Sequence, residues 1–161
     1  MKKLILMLLL CAPMTMFAQK FAKVNTQTIM QAMPEVAKAN GDMQALQKQK
    51  ENELKAMQDE LQRKVDEYQK AQSTMNATAK KAKEDELNQL NQKIQQAYQD
   101  GQNELQKKSA ELLAPIQEKV RNAIDAVGKA GNYTYIFEDG VAIYAGPMVE
   151  DVTAKVQAKL K

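Results

Sequence analysis

Two apolar stripes of the same period run through the middle of the chain, and each mirrors the other. On the first arm the apolar positions fall at Met43, Leu46, Leu54, Met57, Leu61, Val65 and Tyr68. On the second they fall at Leu87, Leu90, Ile94, Tyr98, Gly101, Leu105, Leu112, Ile116, Val120, Ala123 and Val127. Shifting either set by eleven residues lands mostly on the same set. Lys50, Gln72 and Ser109 interrupt it. Eleven residues in three turns is about 3.67 per turn, which predicts a nearly straight or slightly right-handed pairing of helices. The small, polar run STMNAT, residues 73–78, breaks the pattern between the stripes. A turn centred near Asn76 sets Met43 opposite Ser109, Leu54 opposite Tyr98 and Val65 opposite Leu87. The expectation is an antiparallel helical hairpin with arms of roughly 35 to 40 residues, about 55 Å long. Glu51–Lys55, Glu60–Lys64 and Asp66–Lys70 support the first arm in the favourable acid-first order.

The segments flanking the hairpin have a different character. FAKVN, residues 21–25, reads as a short strand, and Thr26 or Thr28 can cap a helical turn through Met33. Pro34 suits the first position of a new helix. The pairing about Asn76 puts Pro115 opposite Ala37. The two prolines therefore mark the base of the arm, as a hinge or a fixed bend. Gly128 and Gly131 end the second arm. YTYIFEDGVAIYAG, residues 133–146, reads as strands 133–138 and 141–145 around an Asp139-Gly140 turn. VEDVTAKVQAKLK follows as an amphipathic helix with Val149, Val152, Val156 and Leu160 on one face and Asp151 at its start.

Strands from both chain ends form one small sheet, so the fold class is α+β. Residues 19–35 and 128–161 make a body, and residues 36–127 make the arm, with its tip near 73–78. A body this size has too little core to stand alone. Its apolar residues are Phe21, Val24, Ile136, Val141 and Ile143, with Tyr133, Tyr135 and Tyr144 alongside. They exceed what one helix layer covers, and open sheet edges call for a partner. Self-assembly into a shared barrel or sandwich is the economical solution.

Met1-Lys2-Lys3 followed by the apolar run from Leu4 reads as a secretory signal peptide, residues 1–18, too short for a membrane span. Leu10 stands where a small residue would precede a lipidated Cys11. Without Lys2 and Lys3, 21 of the 23 basic residues remain against 20 acidic ones, which gives no electrostatic case for nucleic acid. There is no histidine, and the single cysteine falls in the leader. That excludes histidine acid–base catalysis, thiol chemistry and the common zinc sites. The body carboxylates Glu138, Asp139, Glu150 and Asp151 fit turn and capping roles. We expect no enzyme, no catalytic residues, no metal and no cofactor.

The ordered set of segments resembles the Skp/OmpH family of periplasmic chaperones of Gram-negative bacteria. FAKVNTQTIMQAMPE, the Gln-, Lys- and Glu-rich hairpin, LLAPIQEKVRNAI and GNYTYIFEDGVAIYAGPMVEDVTAKV carry the resemblance, across essentially the whole mature chain. It implies a homotrimer in the periplasm. Its strands would form a β-barrel body, and three coiled-coil tentacles would enclose a cavity. It also implies an ATP-independent holdase that binds unfolded outer-membrane proteins and keeps them from aggregating. The alternative is a structural coiled-coil spacer or adaptor of the envelope that binds no client.

A holdase needs adaptable, polarizable side chains. Met43, Met57, Tyr68, Met75 and Tyr98 are the candidate client-binding residues, and the bland reading is that the arm stripes merely glue the two helices together. At the tip, Lys80, Lys81 and Lys83 could meet anionic client, membrane lipid or lipopolysaccharide; a solvated helix start is the bland reading. Residues 41–110 hold twelve basic and twelve acidic residues, whereas the family's arms tend to be basic.

Overall fold

The computed structural model describes residues 19–161, and the expected signal peptide, residues 1–18, lies outside the described residues. The chain divides into two compact units. One is Gln27–Arg121, and the described part of the other is residues 19–26 and 122–161.

The first unit is the helical hairpin. Helix α1 spans Thr26–Gln31, α2 spans Pro34–Ala71 and α3 spans Ala77–Gly131. Pro34 opens α2 at its first turn, after Met33 in extended backbone (φ −86°, ψ 127°). Both facts follow from proline, which fits the first helical turn and drives its predecessor out of the helical region. At the tip, the Gln72 N–H donates to the Tyr68 carbonyl at 2.8 Å, closing α2. Asn76 caps α3: its Oδ1 accepts from the Ala79 N–H at 2.8 Å, and its carbonyl accepts from the Lys80 N–H at 3.0 Å. The break thus falls within the expected STMNAT run.

Contacts across the hairpin hold the register centred on Asn76. Tyr68 Oη donates to Glu84 at 2.5 Å, Lys64 pairs with Glu86, and Lys50 pairs with Glu104 at 2.8 Å. Lys119 pairs with Glu35 farther along. Pro115 sits inside α3, which continues through it. One stripe assignment is corrected. Tyr98 is 57 % exposed, and the covered row passes instead through Ala97 and Gly101. Both spacings are legal on a helix. The small residues leave room for the Lys50 stem on the seam, so Tyr98 stays on its flank.

The second unit holds the sheet, with strands β1 (Phe21–Val24), β2 (Tyr135–Glu138) and β3 (Glu150–Asp151) in the order β2-β1-β3. Both pairings are parallel, with Phe21 beside Tyr135 and Ala22 beside Glu150. The expected antiparallel strand 141–145 does not form, and residues 141–149 contain no strand. The turn chemistry explains the difference. The Val141 N–H donates to the Glu138 carbonyl at 3.2 Å, so Asp139-Gly140 does make a turn. Gly140 has φ +86°, but Asp139 keeps a negative φ. That is the type II pattern, which splays the flanking segments; a two-residue hairpin of type I′ needs positive φ at both positions. Asp139 is already engaged. Its N–H donates to the Val24 carbonyl at 2.8 Å, and its carboxylate pairs with Lys23 at 3.0 Å.

The last turns of α3 end in a Schellman motif. The Tyr133 N–H donates to the Gly128 carbonyl at 3.0 Å and the Asn132 N–H to the Lys129 carbonyl at 3.3 Å. Asn132, at φ +51°, takes the left-handed position that the glycines were expected to serve. The C-terminal helix α4 spans Thr153–Leu160. Asp151 accepts from the Thr153 N–H at 2.9 Å, one position ahead of the helix cap at Val152. Ala22 and Val24 alternate into the interior of this unit, and Ala123, Val127, Val152 and Val156 are buried with them.

Candidate interaction surfaces

Alternation along β1 and β2 sends Phe21, Tyr135 and Phe137 to the face opposite Ala22 and Val24. Their rings stack at centroid distances of 6.1 Å (Phe21–Tyr135), 5.7 Å (Tyr135–Phe137) and 6.4 Å (Phe21–Phe137). Tyr135 remains 59 % exposed, so the ladder covers itself only in part. An open groove of about 240 Å³ adjoins it, walled by Phe21, Phe137, Tyr144 and Val149. Beyond the turn, Val141, Ile143, Tyr144 and Met148 are exposed. This unit therefore leaves an aromatic ladder and the apolar side chains Val141, Ile143, Tyr144 and Met148 without full cover among the described residues.

The apolar residues named for the body divide into two groups about this surface. Phe21, Tyr135, Val141, Ile143 and Tyr144 lie on or beside it. Val24 is buried inside its own unit, and Ile136 points the other way, 3.5 Å from where a Cβ on Gly128 would sit. Tyr133 is also turned inward. Its hydroxyl donates to Glu150, while Lys20 lies over its ring at 4.1 Å. The Lys155 ammonium, with Tyr133 adding a second hydrogen bond, holds the Glu150 carboxyl down at about 2. Phe137 and Met148 were missed by the sequence reading. The alternation of Tyr133, Tyr135 and Phe137 carried the signal for Phe137; nothing local marked Met148.

The carboxylates of the body have structural partners. Glu138 accepts from the Thr26 N–H at 2.9 Å, satisfying a free donor at the start of α1. Asp139, Glu150 and Asp151 are held as described above. None of the four is left as an unpaired acid beside an open pocket.

On the hairpin, Met43, Met57 and Tyr68 lie along a seam that is only half covered, and Met75 is half covered at the tip. Between residues 40 and 115 only Gly101 is buried. Two helices cannot close a wide apolar stripe on both flanks. Lys83 and Lys64 both engage Glu86, and Lys64 is the main reason the Glu86 carboxyl falls to about 2. Lys80 and Lys81 make no ion pair among the described residues. Pro115 borders an open groove of about 290 Å³ with Ala39, Leu112 and Ile116, while Pro34 stands at the start of α2.

A sheet whose aromatic face is incompletely covered among the described residues and a helical hairpin with a half-covered seam offer two candidate interaction surfaces. A family model, OmpH, described as outer membrane protein (OmpH-like), matches residues 20–160. The chain belongs to this OmpH-like family. It is 26 % identical over 154 residues to the chaperone protein Skp of Yersinia enterocolitica, covering 96 % of this chain and 93 % of that protein. It is 24 % identical over 144 residues to the chaperone protein Skp of Pectobacterium atrosepticum, covering 89 % and 87 %. The fold matches that of a crystal structure of a putative outer membrane chaperone (OmpH-like) from Caulobacter crescentus. That match has a TM-score of 0.77 at 15 % identity and covers 88 % of this chain and 83 % of the other.

Proposed function

We propose that this protein is an ATP-independent periplasmic holdase. It binds unfolded outer-membrane proteins in a cavity between helical arms and prevents their aggregation. It works as a homotrimer after removal of its signal peptide, with the β-strands of three chains closing into a barrel. The observation that carries this reading is the pairing of two uncovered apolar surfaces in one OmpH-like chain. The aromatic ladder and segment 141–148 fit assembly, because a sheet edge and an exposed apolar run together invite added strands. The half-covered, methionine-bearing seam fits weak binding of many sequences. Contact with anionic lipid or lipopolysaccharide at the tip rests on Lys80 and Lys81 alone, since Lys83 is engaged by Glu86.

Native mass spectrometry of residues 19–161 tests the reading, alone and mixed with a urea-unfolded outer-membrane barrel protein. The expected result is a trimer that retains one unfolded client in solution. A trimer that lets the client precipitate would leave the assembly standing and favour an envelope spacer. A folded monomer would refute the assembly.

A further inference from the structure

Midway along the hairpin the seam changes character. Lys50 occupies a position where the stripe calls for an apolar residue, and Gly101 faces it. A Cβ added to Gly101 would lie 3.8 Å from Cβ, Cγ and Cδ of Lys50, an ordinary van der Waals distance. Packing against Lys50 therefore leaves room for alanine, and glycine is among the poorest helix formers. With no side chain of its own, Gly101 brings its backbone to the edge of a groove. A groove of about 390 Å³ lies there, and Leu54, Leu105, Tyr98 and the Gly101 backbone border it, with Gln47 and Gln102 at its edge. Tyr98 is the large apolar side chain of Gln27–Arg121 that stands clearly in solvent.

The positive charge at this groove is already paired, and the one carboxylate on its lining is hydrogen-bonded. The Lys50 ammonium pairs with Glu104 at 2.8 Å and with Glu53 at 3.3 Å. These partners, Glu104 first, hold the Lys50 pKa above its ordinary value. Glu51, also on the groove, accepts from Gln47 Nε2 at 2.9 Å. An anionic ligand would have to compete with Glu104 and Glu53 for Lys50 and would meet the Glu51 carboxylate, and a cationic one would have to displace the Gln47 amide from Glu51, whereas a neutral one leaves these contacts intact. The Tyr98 ring offers an aromatic partner, Leu54 and Leu105 offer apolar walls, and the Gln102 amide offers a donor and an acceptor.

We propose that the groove floored by Gly101 is a subsite for an uncharged aromatic side chain of a bound, extended polypeptide. The inference rests on the holdase reading for its biological setting. Outer-membrane barrels carry girdles of aromatic residues, which suit them to such a subsite. The subsite also accounts for an arm with balanced charge. It selects clients by aromatic content, with charge contributing little.

The test uses ¹⁵N-labelled residues 19–161 and four blocked tetrapeptides, identical except for Tyr, Leu, Glu or Lys at one position. The tyrosine peptide should shift the Gly101 amide and bind at least threefold more tightly than the other three. Tyr98→Ala should weaken it about threefold to tenfold, while Tyr98→Phe should retain it. Gly101→Ala should weaken it with the helix content unchanged. Equal affinity for all four peptides, or shifts that bypass Gly101, would overturn the proposal. A parallel assay follows aggregation of the unfolded barrel protein. Peptide binding at Gly101 without client protection would sink the holdase reading and leave the subsite. Client protection without any shift at Gly101 would do the reverse.

Discussion

The two units spend their apolar residues differently. The unit made of residues 19–26 and 122–161 buries Val152 and Val156 completely, yet leaves Tyr135, Phe137, Ile143 and Met148 outside. The hairpin exposes few large apolar side chains, yet between residues 40 and 115 it buries only Gly101. One unit has a true core and a surplus. The other buries Ile29, Met33, Ala39, Ile116 and Val120 near the base of its arms, and between residues 40 and 115 its seam is never fully closed. A small sheet gains stability from tertiary packing on one face and must find cover for the other. A long helical pair gains it from many local hydrogen bonds, ion pairs and partial contacts, none of which dominates.

The largest break in this comparison should come from Val156→Asp, which places an unpaired charge at a fully buried position. The expected cost is about 3 kcal/mol or more. Near-ultraviolet circular dichroism should lose the contribution of Tyr133, Tyr135 and Tyr144 and keep that of Tyr68 and Tyr98, while the far-ultraviolet helix signal of the hairpin persists. Loss of both signals together would show that the units do not behave separately. Gly131→Ala comes next. Its Cβ would overlap the Tyr133 ring and displace the group that holds Glu150, at a cost of about 1–3 kcal/mol. A denaturant titration followed by tyrosine fluorescence reads it out. Leu61→Ala, on the half-covered seam, should cost only about 1 kcal/mol, roughly half the value for a fully buried leucine. A larger loss would mean that the arm seam is covered by something beyond its own two helices.

The smallest effect should be electrostatic and common to both units. Glu86 and Glu150 have folded-state pKa values lowered from 4.5 to about 2. Their contributions are complete above the ordinary carboxylate range and fade as pH falls from there toward about 2. Amide protection factors near Glu86 and near Glu150, corrected for the intrinsic pH dependence of exchange, should fall over that window. Lys64→Gln should flatten the response near Glu86 and leave that near Glu150 unchanged.

Much of the fold was legible in the sequence. The stripes gave the two arms, STMNAT located the tip, and the register centred on Asn76 reappears in the contacts of Tyr68 with Glu84 and Lys50 with Glu104. Asn76 and Pro34 took the roles their chemistry suggests. The site residues were less legible. Tyr98 was placed on the seam, where Ala97 belongs, because steps of three and four are equally allowed on a helix. Val24 and Tyr133 were named with the other apolar residues of the body; Val24 is buried within its own unit, and Tyr133 is half covered with its hydroxyl on Glu150. Parity along a strand gives two faces but does not name the buried one. Segment 141–145 was read as a strand from its alternation, which cannot report the φ of Asp139.

Local chemistry was thus sufficient for the two long helices and the hairpin register, because a helix closes its hydrogen bonds within a few residues and its periodicity is written along one segment. The tertiary structure alone decided the parallel order β2-β1-β3, the inward turn of Tyr133 and the unpaired run after Gly140. Strand pairing joins residues more than a hundred positions apart, as Phe21 and Tyr135 show. Which partner wins depends on contacts that no single stretch contains.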